Sequence, residues 1–81
     1  MQFPSTPDRL IKDGFPANWY VVDRPDANEA LLCRKSEMAI GGSVCICTRP
    51  RATATEQWLP VARILAQGFE TENKRLRSIR T

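Results

Sequence analysis

The stretch Gly41–Arg51, GGSVCICTRPR, sets two glycines, a Cys-Ile-Cys and two arginines side by side. Three readings compete for it: a metal or redox site, a core strand, and the lip of a nucleic-acid surface. Ser43–Thr48, SVCICT, has the composition of a short strand, β-branched and apolar, between a Gly-Gly pair and a proline. Gly41 and Gly42 admit positive φ and so suit a tight turn before it. Met38 and Ile40 are then placed either paired with this strand or packed across the turn.

Working outward, Trp19–Asp23, WYVVD, is a second strand, and Glu29–Lys35, EALLCRK, a third. Between them Arg24–Asn28, RPDAN, is turn chemistry: proline presets φ, and Asp and Asn bond their own backbone. Strand alternation puts Leu31 and Cys33 on one face and Leu32 on the other, and it puts Cys45 and Cys47 on a common face. Trp19, Tyr20, Val21 and Val22 place apolar groups on both sides of their strand.

Near the N-terminus, STPDRLIKDGF (Ser5–Phe15) carries helix start and stop signals. Thr6 suits the N-cap, Pro7 the first helical position and Asp8 the first turn, and Gly14 suits a left-handed terminus. These predict a short helix over Pro7–Asp13 with Leu10 and Ile11 inward and Phe15 folded back on them. Toward the C-terminus, Trp58, Leu59, Ala62, Leu65, Ala66 and Phe69 recur at three- and four-residue steps, one apolar stripe that Val61 and Ile64 widen. Thr53 and Glu56 stand in capping-box spacing. Pro60 predicts either a helix start near Trp58 or a kink, and Gly68 weakens the helix centre. A helix over Glu56–Ser78 would be about 35 Å long, more than a small sheet covers, so its end is expected to project or fray.

The expected architecture is therefore α+β: one domain over residues 1–81, ordered α-β-β-β-α. It comprises a three-stranded antiparallel sheet, a short N-terminal helix and a long C-terminal helix whose basic end spans residues 70–81. In topology alone this order is similar to that of double-stranded-RNA-binding domains. The stretch RPRATATEQ lacks their basic cluster at the second helix, so no residue roles carry over.

The chain has 81 residues, with hydrophobic and charged fractions of 42% and 26%, the balance of an ordinary globular domain. No apolar run is long enough to span a bilayer, and MQFPSTPDRL does not read as a signal peptide, so a cytoplasmic protein without membrane contact is expected. Residues 1–48 hold five Lys or Arg against six Asp or Glu, whereas residues 49–81 hold seven against three. The net charge of +3 thus resides in the C-terminal part, which suggests a polyanionic partner.

The chain has three cysteines and no histidine. A three-thiolate metal site would lack its fourth ligand, and a nucleophilic cysteine would lack its usual base. Cys45 and Cys47 on one strand face stand too far apart for a disulfide, while a cross-strand link from Cys33 to Cys45 or Cys47 stays open. The reading that remains is core thiols, with no metal, no cofactor and no catalysis. No Gly-rich phosphate loop is present, since Gly41-Gly42 leads into a strand.

Two functional expectations follow, both for a small non-enzymatic regulatory protein. The first is nucleic-acid or nucleoprotein binding through Arg49, Arg51, Arg63, Lys74, Arg75, Arg77 and Arg80. The second is a protein-binding inhibitor, adaptor or self-associating subunit, a homodimer included. It would use an apolar sheet face and the aromatic residues Trp19 and Tyr20, with Phe3 and Phe15 beside them.

Overall fold

A computed structural model describes residues 6–35 and 42–80, excepting the side chains of 77–80. The expectations for Phe3, Met38, Ile40, Gly41 and the Arg77 and Arg80 side chains lie outside the described residues. The chain runs β1 (Arg9–Ile11), β2 (Trp19–Arg24), a 3-10 turn (Pro25–Ala27), β3 (Glu29–Lys35), β4 (Ser43–Thr48) and α1 (Thr55–Arg80). The class is α+β with an antiparallel sheet and one C-terminal helix, as read from the sequence. The sheet has four strands in the order β1-β2-β3-β4 rather than three.

The expected N-terminal helix over Pro7–Asp13 is not seen, and with it goes the topological likeness to double-stranded-RNA-binding domains. Its central residues form β1 instead, pairing Arg9 with Asp23, Leu10 with Val22 and Ile11 with Val21. Seven residues are too few for a stable isolated helix. Pairing gives the same residues a sheet ladder, and it lays Ile11 against the core. Gly14 does take the left-handed conformation, at φ +81°, but as part of the turn after a strand.

Strand β2 pairs with β3 over its full length, from Trp19 with Arg34 to Arg24 with Glu29. The turn between them closes with Asn28 in the left-handed region, at φ 50°, and its amide donates to the Pro25 carbonyl. Helix α1 packs on the sheet face that carries Trp19, Val21, Ala30 and Leu32, and against them it buries Trp58, Ala62 and Ala66. Ala30, Ala62 and Ala66 are fully buried, and their small side chains let the helix lie close to the strands. Leu59 and Leu65 complete the predicted stripe at its margins. Val61 and Ile64 do not widen it: they are 49% and 70% exposed, on the solvent side.

Pro60 neither starts nor ends the helix. It sits inside α1, on the solvent-exposed side of the helix. The capping-box reading of Thr53 shifts as well. The first helical amides, of Gln57 and Trp58, donate to the Ala54 carbonyl, while the Thr53 amide closes a turn on the Pro50 carbonyl. The helix start is held instead by Thr55, whose Oγ1 donates to Asp23 Oδ1 at 3.0 Å. Among the described residues no helix is long and apolar enough to cross a membrane.

The turn after β1 is pinned to the helix by Arg63. Its Nε donates to the Asp13 carbonyl at 3.1 Å, and its guanidinium lies 5.7 Å from the centre of the Phe15 ring. A Cβ placed on Gly14 would stand 2.7 Å from Arg63 Nε, in a backbone conformation that L side chains rarely adopt. Gly14→Ala is therefore expected to cost about 1–3 kcal/mol. Gly68→Ala, whose Cβ meets nothing within 4 Å, is expected to gain about 0.5–1 kcal/mol through helix propensity. Urea denaturation followed by tryptophan fluorescence compares the two directly. Equal effects in the same direction would refute the assignment of Gly14.

Candidate functional site

β4 pairs with β3 on one side, and among the described residues no strand pairs with its other edge. Its pairing is irregular. Leu31 opposes Thr48 and Leu32 opposes Cys47, but Cys33 opposes Cys45, so Ile46 is an extra residue in a bulge. The bulge reverses the expectation that Cys45 and Cys47 share a face. Cys47 packs against the helix-side core, while Cys45 lies on the far side, with its Sγ 2.7 Å from Cys33 Sγ.

The same register puts Val44 opposite Arg34, which itself opposes Trp19. The helix packs on β2 and β3, and Val44 and Ile46 on β4 stay 56% and 42% exposed. Between β4 and the distal half of α1 lies a groove of about 270 Å³. Val44 and Ile46 line it from the strand, Phe69, Glu72 and Asn73 from the helix, with Trp19 and Arg34 contributing between them. This volume lies just below the range of small-ligand pockets, about 300–1,000 Å³, and suits one or two inserted side chains. Edge strands of natural proteins are commonly blunted by a charge, a proline or extreme shortness. β4 has six residues, Ser-Val-Cys-Ile-Cys-Thr, with no charge and no proline; the bulge at Ile46 is the one edge-blunting device it carries.

Trp19, expected as an exposed partner-binding aromatic, is only 2% exposed. Its ring stacks on Phe69 at 5.7 Å between centroids, and its Nε1 donates to Glu70 Oε2 at 3.0 Å. Tyr20 is half-buried on the opposite sheet face, and its hydroxyl lies 2.5 Å from Ser43 Oγ. It borders a second hollow that Lys12 and Lys35 also line. Phe15 is half-buried under Arg63.

The basic residues are dispersed rather than gathered. Arg49 donates to the Thr53 carbonyl and to Asn28 Oδ1, which ties the β4–α1 loop to the β2–β3 turn. Arg63 is engaged at Asp13, as above. Arg75 pairs with Glu72 on the helix surface, and both are exposed. Arg51 and Lys74 are exposed and enter no ion pair among the described residues. Arg63 and Lys74 stand about 16 Å apart along the helix axis.

Sequence reasoning missed Val44, Ile46, Phe69 and Arg34 as a set. The signal present was the uncharged run Val44–Cys47. Whether it became a central or an edge strand depended on the strand order. Comparison with protein-family models, curated proteins and solved structures returns no match for the chain.

Proposed function

We propose that this chain is a non-enzymatic binding protein of regulatory type that takes a protein partner on the open edge of β4 and the groove beside it. The carrying observation is the uncharged edge strand with Val44 and Ile46 more than 40% exposed. An extended segment of the partner would add a strand beside β4, its backbone meeting the outer-edge amides and carbonyls that no described strand pairs. An apolar side chain of that segment would enter between Val44, Ile46 and Phe69, with Arg34 and Glu72 as the polar end of the groove. Exposed apolar patches rimmed by polar groups commonly mark interfaces. A cytoplasmic setting is part of the proposal and rests on the sequence reading.

Nucleic-acid binding is the second reading, favoured by Arg51 and Lys74, which stand exposed in the basic C-terminal part. It is the weaker one because Arg49, Arg63 and Arg75 already have internal acceptors, with which a phosphate would compete.

One experiment separates the two. The tagged chain, Ile46→Lys, and the double variant Arg51→Glu/Lys74→Glu are used to capture partners from source lysate, with and without nuclease, across a salt gradient. Ile46 is exposed, so its lysine variant is expected to fold. A protein held through nuclease and salt by the wild type and the double variant, and lost with Ile46→Lys, supports the edge-strand reading. Nucleic acid held by Ile46→Lys and lost with the double variant or with rising salt overturns it.

A further inference from the structure

On the sheet face away from the helix, Cys33 and Cys45 oppose one another across β3 and β4. Opposed residues of an antiparallel pair have Cα atoms about 4.5–5.5 Å apart, inside the span a disulfide bridges, about 4.4–6.8 Å. The two sulfurs are already 2.7 Å apart, both as free thiols. Their accessibility differs sharply: Cys33 is 1% exposed, whereas Cys45 is an exposed residue of the edge strand. The third cysteine, Cys47, is turned to the other face by the bulge at Ile46 and cannot compete for either sulfur.

We propose that Cys33 and Cys45 form a reversible dithiol–disulfide site that exchanges with low-molecular-weight disulfides of the glutathione class. Cys45 is the entry point. Its thiolate attacks one sulfur of the small disulfide, whose S–S bond breaks and releases one small thiolate, which takes up a proton. The Cys33 thiol then loses its proton and attacks Cys45 Sγ, displacing the second small thiolate, which is protonated in turn. Two protein thiols are oxidised by two electrons, and one small disulfide is reduced to two thiols. The order of attack follows from burial. Desolvation, with the hydrogen bond and charge of Cys45 adding to it, pushes the Cys33 thiol up to about 12, so Cys33 is protonated at neutral pH and only attacks intramolecularly. The product would staple the edge strand β4 to β3 and close the loop between them.

The test incubates the full chain with oxidised and reduced glutathione at defined ratios, quenches in acid, alkylates, and reads intact and peptide masses. The expected product under oxidising ratios is a monomer lighter by about 2 Da before alkylation, with one alkylatable thiol at Cys47 and a Cys33–Cys45 peptide link. Dithiothreitol should restore three thiols, and the oxidised form should melt higher by about 10 °C. Cys47→Ser is expected to keep the link and Cys45→Ser to abolish it. Cys45 is exposed, so its serine variant is expected to fold even if Cys33→Ser does not. Three alkylatable thiols after equilibration with excess oxidised glutathione, a link through Cys47, or a glutathione adduct on Cys45 that persists in the wild type would each overturn the proposal.

Discussion

Trp19→Ala is expected to lower the unfolding free energy by about 3–5 kcal/mol, a large part of what a domain of this size possesses. The indole is 2% exposed at the point where β2, β3 and the distal half of α1 meet. It supplies the ring on which Phe69 stacks, nearly parallel at 8° between planes. It also donates to Glu70, a helix residue fifty-one positions away. Truncation would open a cavity, bare the stacked face of Phe69 and leave Glu70 with the Arg34 guanidinium, at 3.9 Å, as its one partner among the described residues. Trp19→Phe separates these contributions: it keeps an aromatic surface for Phe69 and removes the donor, so about 1–2 kcal/mol of the loss should remain. Urea midpoints of the three proteins measure both effects. A Trp19→Ala midpoint within error of wild type would mean that the distal helix is not seated by this residue.

The second large effect is expected at Asp23, the one buried charged residue among those described, at 6% exposure. Its carboxylate accepts from Arg9 Nη2 at 3.1 Å and from Thr55 Oγ1 at 3.0 Å, so one side chain joins β1, β2 and the first turn of α1. The helix N-terminus adds a favourable dipole for an anion at this place. Asp23→Ala is expected to cost about 2–4 kcal/mol by removing these partners together. Arg9 is 64% exposed, and an exposed ion-pair partner contributes little, so Arg9→Ala should cost under about 1 kcal/mol. A double-mutant cycle of Asp23→Ala with Thr55→Val isolates the strand–helix bond. A coupling near zero would show that Thr55 caps nothing through Asp23.

Both effects lie in contacts between segments distant in sequence, and that marks where sequence reading succeeded and stopped. The strands at Glu29–Lys35 and Ser43–Thr48 were legible because composition and turn chemistry agree there. The core-facing stripe from Trp58 to Ala66 was legible because helical spacing repeats through it. β1 was not, because three residues carry no periodicity of their own. Arg9–Ile11 is a strand only because β2 offers it a ladder, and the local signals at Thr6, Pro7 and Gly14 fit a helix equally well. The bulge at Ile46 was invisible for a similar reason. It is a property of the β3–β4 register, and an unshifted pairing would have placed Cys45 and Cys47 together.

The candidate site divides along the same line. Amino-acid order alone settles that Ser43–Thr48 is apolar and uncharged, that Arg49–Thr81 is basic, that histidine is absent, and that Cys33 falls on a strand with Leu32 facing the other way. Those are consequences of side-chain chemistry and of the two- and 3.6-residue periods, which need no partner to exist. Tertiary structure decides that β4 is an edge, that the helix covers β2 and β3 but leaves Val44 and Ile46 open, and that Cys33 meets Cys45 and not Cys47. It also turns Arg49 and Arg63 to acceptors distant in the chain, at Asn28 and Asp13. These depend on strand order, register and the close approach allowed by Ala30, Ala62 and Ala66. The free energy that selects them comes from burial and pairing across the whole domain, which no single segment encodes.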